Sequence, residues 1–78
     1  MQHTLTPIQE RVLVWISGQR YRPTSREVGR GIGVVSAGCS LRALERMGMI
    51  TLLTVMEPHV WVLTDSGRRA CELIKHDD

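Results

Sequence analysis

Apolar residues recur at helical spacing near the start of the chain, where Ile8, Val12, Trp15 and Ile16 fall on one face and Gln9, Glu10 and Arg11 on the other. Thr6 before Pro7 reads as an N-cap with proline at the first helical position, and Gln9 stands where a capping box places its Glu or Gln. The pattern predicts a helix from there to Gly18, with Trp15 in the core. Pro23 biases Arg22 towards extended backbone, so the polar link Gln19 to Arg22 is read as a turn. Thr24 then caps a second helix, Glu27 completes the T-x-x-E capping box, and Val28 and Ile32 face inward. Gly29, Gly31 and Gly33 weaken that helix and supply the turn after it.

A third helix is predicted over about 35–47, starting at Val35 or Ser36, with Ala37, Leu41 and Leu44 on its inner face and Gly48 as its stop. Cys39, Arg42, Glu45 and Arg46 fall on the other face. Two β-branched and apolar runs follow, Ile50 to Met56 and His59 to Thr64, separated only by Glu57-Pro58. They predict a β-hairpin with Pro58 in the turn, because proline cannot donate to the ladder. Thr64 caps a last helix, with Asp65 favourable at its positive end and Ala70, Leu73 and Ile74 as its apolar stripe.

At 78 residues the chain is read as one small domain spanning 1–78, with no room for a separate catalytic or sensor domain. A core of this size gains from pairing, so a homodimer is an open expectation. The chain shows neither a membrane-spanning apolar run nor the basic and apolar regions of a secretory signal, which points to a cytoplasmic protein. Cys39 and Cys71 lack paired spacing and are read as small packing residues. His3, His59 and His76 are scattered, so no metal is expected; no cofactor is expected either. There is no Ser/His/Asp ordering, no phosphate loop before GK[ST] and no HExxH, so the chain is not read as an enzyme.

Charge is small overall but uneven. The net value is +2; residues 1–46 hold seven arginines against Glu10, Glu27 and Glu45, giving +4, and the remainder gives −2. Arginine is the side chain suited to bidentate contact with phosphate and guanine, although a solvated arginine-rich surface is the plainer reading.

Helix, helix, helix, hairpin, helix is the α+β order of a winged helix-turn-helix: a three-helix core, a two-stranded wing and a C-terminal helix. The stretches LTPIQERVLVWI (Leu5 to Ile16), RPTSREVGRGIGV (Arg22 to Val34) and LRALERMGMI (Leu41 to Ile50) resemble the DNA-binding domain of LexA-type repressors, and cover about half of the chain. LTDSGRRA, from Leu63 to Ala70, is similar to the wing exit of MarR-type regulators. The resemblance implies a prokaryotic or phage transcriptional regulator whose third helix reads bases in duplex DNA. The self-cleaving domain of LexA has no counterpart here, so switching would fall to a regulatory protein partner, expression level or dimerisation. The interval between the turn and the Leu-x-x-Leu run is shorter than in that family. Each helical residue turns about 100°, so base-reading positions do not carry over one for one.

Among candidate contacts, Arg42 and Arg46 lie one turn apart on the outer face of the third helix. Their alternative is a surface ion pair, such as Arg42 with Glu45. Ser36, Gly38, Cys39 and Ser40 surround the helix start, where N–H groups and hydroxyls favour phosphate, or where Ser36 simply caps the helix. Arg26 and Arg30 on the second helix and Arg20 and Arg22 on the link before it are suited to phosphates without reading sequence. Tyr21 is read either as a backbone contact or as a half-buried ring beside Pro23. The acidic Glu57 at the wing tip predicts a mainly structural wing. Two other functions stay open at this point: a winged-helix protein-interaction adaptor, and a non-specific architectural DNA-binding protein.

Overall fold

A computed structural model describes residues 5–55 and 57–76. In chain order they form α1 (Pro7–Ser17), α2 (Ser25–Ile32), α3 (Gly38–Arg46), β1 (Ile50–Leu53), β2 (Val60–Leu63) and α4 (Asp65–His76). Both expected capping boxes are present. Thr6 Oγ1 accepts from the Gln9 N–H at 3.2 Å while Gln9 Oε1 accepts from the Thr6 N–H at 3.0 Å. Thr24 and Glu27 repeat the exchange at 3.2 and 2.9 Å. Each box satisfies two donors that the first helical turn leaves unpaired, and a cap of this kind contributes about 1 kcal/mol.

The core forms around α1, which packs against α2, α3, α4 and β2. Val12 and Leu13 are fully buried and Ile16 nearly so, against Val28 and Ile32 of α2, Leu41 and Leu44 of α3, Ile50 of β1 and Trp61 of β2. Leu13 lies outside the stripe read from the sequence. A helix enclosed from several sides buries a wider arc than one amphipathic face. Trp15, expected in the core, is only partly buried. Its indole lies over Gly31, where a Cβ would come within 2.0 Å of the ring.

The apolar stripe of α4 is rotated from the expected one. Gly67 and Cys71 are buried and Ala70 and Ile74 partly so, whereas Leu73 is 71% exposed. Thr64 caps this helix as expected, accepting from the Gly67 N–H at 3.1 Å. The Cys71 thiol donates to the Leu13 carbonyl at 3.4 Å, and burial pushes its pKa above the ordinary thiol value, against smaller lowering effects from Ser17 and Lys75. Cys39, by contrast, is exposed on α3 and packs no core.

Between α2 and α3 the corner is longer than the sequence suggested. Gly33, at φ 79°, ends α2 in the left-handed region, with its N–H bonded to Arg30 O and the Val34 N–H to Gly29 O, a Schellman arrangement. Residues 34–37 complete the turn, Val35 is fully exposed, and α3 begins at Gly38 rather than near 35. Its N-cap is Ala37, which has no capping side chain. Ser36 is therefore not the cap; its Oγ accepts from the Gly38 N–H at 3.3 Å within the turn. Gly48, at φ 78°, closes α3 in the same way, with its N–H bonded to Glu45 O and the Met49 N–H to Leu44 O.

β1 and β2 pair antiparallel, Ile50 opposite Leu63 and Leu53 opposite Val60. The strands are shorter than the apolar runs, so residues 54–55 and 57–59 lie outside them, not Glu57-Pro58 alone; Met56, the predicted end of the first run, falls outside the described residues. Val55, part of the predicted strand, is exposed. The hairpin is tied down towards its loop end, where Trp61, paired with Leu52, donates its N–H to the Pro23 carbonyl at 2.8 Å and its Nε1–H to Ser25 Oγ at 2.8 Å. Among the described residues no helix is long and apolar enough to cross a membrane, and no three His, Cys, Asp or Glu side chains gather as metal ligands.

A Cβ at Gly67 would lie 2.0 Å from the Met49 carbonyl oxygen, a backbone atom already bonded to the Thr64 N–H. Gly67→Ala is expected to lower the unfolding free energy by about 1–3 kcal/mol, and Gly31→Ala by less, because an indole can rotate where a carbonyl cannot. Urea unfolding measures both; equal midpoints for wild type and Gly67→Ala would contradict the close approach. The raised pKa of Cys71 sets a second expectation. Above about pH 8.5 the unfolded chain loses the thiol proton before the folded chain does. Stability contributed by the protonated thiol is complete below that pH and declines above it. Melting temperatures between pH 7 and 10 should therefore fall less steeply in Cys71→Ala than in wild type.

Candidate nucleic-acid interface

The turn between α2 and α3 brings Arg26 and Arg30 to one cleft with Ser25, Ser36 and Gly38, floored by Gly29, Val34 and Ala37. Arg26 and Arg30 are exposed and stand one helical turn apart. No carboxylate lines the cleft. Four of the residues singled out in the sequence therefore share one concave, basic surface, which suits an anion.

Beyond the cleft, the outer face of α3 carries Cys39, Arg42 and Arg46, all exposed, while Ser40 is half-buried. Arg42 Nη1 lies 3.5 Å from Glu45 Oε1, with the two side chains 66% and 36% exposed. The alternative reading of Arg42 is thus realised, but an open pair at that distance is worth no more than a few tenths of a kcal/mol and releases its arginine cheaply. Arg46 has no acidic partner among the described residues. Arg20 and Arg22 are exposed on the link before α2 and line a different part of the surface from the cleft. Tyr21 is 53% exposed, so about half of its surface is covered.

Two features could not be read from residue type. Arg11, counted with the basic half of the chain, extends its guanidinium from α1 to the Ile32 carbonyl and binds the C-terminal end of α2. That end carries unpaired carbonyls and the negative pole of the helix, so a cation there stabilises the fold. Spacing gave no sign of this, because the partner lies 21 positions away. Ser25 is the second; only the fold shows that it meets Trp61.

The backbone matches the transcriptional repressor CouR, solved bound to p-coumaroyl-CoA, with a TM-score of 0.76 and 28% sequence identity over 92% of this chain. The fold is a winged helix. Its α2 and α3 are the helix-turn-helix and its β1-β2 hairpin is the wing. The winged helix spans 51% of the length of CouR. No family model and no curated protein matches the chain.

The Arg11 contact carries its own expectation. Arg11→Ala should lower unfolding free energy by about 1–2 kcal/mol through loss of a charge-assisted hydrogen bond. Chemical denaturation tests it, and an unchanged stability would mean that water replaces the guanidinium without cost.

Proposed function

We propose that the chain acts, as one winged helix-turn-helix unit, as a DNA-binding transcriptional regulator that places α3 in the major groove and sets the Arg26–Arg30 cleft against the phosphate backbone. The observation that carries this reading is the joint placement of the exposed Arg42–Arg46 face and the carboxylate-free cleft on the two helices of the motif. Likeness to a transcriptional repressor supports it. On this reading Arg42 and Arg46 reach base edges, where a good bidentate pair discriminates by about 1–3 kcal/mol, and Arg26, Arg30, Arg20 and Arg22 fix register on phosphates. Gly38 and Ser40 lie where α3 approaches the backbone, and Cys39 faces the groove. Glu57, exposed on the connection of the wing, keeps that loop from the groove and leaves the wing a structural element. A two-fold pair of such units would read two half-sites, the usual way a small helix-turn-helix gains specificity. The setting is the cytoplasm of a prokaryotic or phage-infected cell, and the activity is binding without catalysis.

Electrophoretic shift with random duplex over a salt series tests the reading. Four to six phosphate contacts predict a log-log slope of about −4 to −5. Arg26→Ala and Arg30→Ala should each reduce its magnitude by about 1. Selection from a random oligonucleotide pool should enrich a compact motif, and Arg42→Ala and Arg46→Ala should relax it. A pool with no enrichment would favour an architectural binder. No shift at micromolar protein in low salt, with both substitutions silent, would sink the DNA reading and favour a protein-interaction adaptor.

A further inference from the structure

Ser25 is distinguished by its hydrogen bond and not by its charge. An indole N–H is a donor only, so in the 2.8 Å bond between Trp61 Nε1 and Ser25 Oγ the serine oxygen accepts. A hydroxyl has one proton and two acceptor lone pairs. With one lone pair held by the indole, the O–H direction is confined, and among the described residues it donates to no protein acceptor. Ser36 is in a matching state, since its oxygen accepts from the Gly38 N–H. Both serines line the cleft with Arg26 and Arg30, whose guanidinium groups have donors and no acceptor. The side chains of the cleft thus offer donors and positive charge with no carboxylate to absorb them. A tetrahedral oxyanion with several acceptor oxygens complements that set.

We infer that Ser25 is a phosphate-binding residue whose hydroxyl is aimed by Trp61 of the wing strand, so that the wing, without touching the nucleic acid, orients a contact made by the helix-turn-helix. Trp61 is a positioning residue: it is almost wholly buried and reaches the phosphate only through Ser25. The inference rests on the DNA-binding reading and names a further residue of that same surface.

Fluorescence anisotropy with a labelled random-sequence duplex, at several salt concentrations, tests it. Ser25→Ala should weaken binding about tenfold, the effect of losing one hydrogen bond to a charged oxygen. Its salt slope should equal that of wild type, because no charge is removed. Ser25→Thr, which keeps the hydroxyl, should restore binding. Trp61→Phe, which keeps an aromatic ring and deletes the donor, should weaken binding, and the double variant should bind no worse than Ser25→Ala alone. A spectroscopic arm needs no substitution: the indole N–H resonance of Trp61 should move on addition of duplex, while that of Trp15, on the rim between α1 and α2, serves as internal control. Wild-type binding matched by Ser25→Ala, or a Trp61 resonance that stays fixed at saturating duplex, overturns the inference and leaves the DNA reading standing. Absence of any duplex binding by wild type overturns both.

Discussion

Enclosure of α1 is the constraint on which the other elements depend. Val12, Leu13 and Ile16 give the helix an apolar arc wide enough for α2, α3 and α4 to pack on it from different sides. Polar contacts reinforce the same helix. Arg11 binds the end of α2, and the Leu13 carbonyl receives the Cys71 thiol from α4. In so short a chain there is no second core to compensate, since a domain of this size buries only about 60% of its unfolded surface. The relative placement of α2 and α3, and with it the shape of the arginine-lined cleft, is therefore set from behind by a helix that lies outside the cleft.

The wing depends on a different connection. A two-stranded hairpin of four-residue strands is marginal by itself. Here Trp61, towards the loop end, is buried and bonded through its backbone to Pro23 and through its indole to Ser25. The far side is fixed by Thr64, whose N–H bonds to Met49 O and whose hydroxyl donates to Gly48 O. Wing and helix-turn-helix are consequently joined at both ends of the hairpin.

Local chemistry made much of this legible in the sequence. Thr6, Thr24 and Thr64 announce helix starts because capping is decided within three residues, and Gly33 and Gly48 announce helix ends because few other residues take a positive φ. What escaped depends on long-range geometry. Trp15 looks like a core residue by type, yet Gly31 receives its ring at the edge of the core. Leu73 looks equivalent to Cys71 in hydropathy, and only the angle at which α4 meets α1 decides that the cysteine goes inside. The sequence puts the start of α3 at Val35 or Ser36, whereas these residues are spent on turning the corner and the helix begins at Gly38. At the interface, Arg26, Arg30, Ser36 and Gly38 were recognisable by type and gather in one cleft, but the role of Arg11 and the partnership of Ser25 with Trp61 span 21 and 36 positions. No local pattern encodes contacts of that separation.

The two glycine stops have one more consequence. A Cβ at Gly33 or Gly48 would meet nothing within 4 Å, so both positions are reserved for glycine by backbone angle alone. The direction of α3 is thereby decided by dihedral angles at its two ends and by the inward leucines, and the side chains of Cys39, Arg42 and Arg46 take no part in it. On the proposed reading, stability and target choice are written in separate alphabets on the same nine-residue helix. Such a division lets the outward letters be rewritten, by evolution or by design, while the scaffold that presents them stays the same.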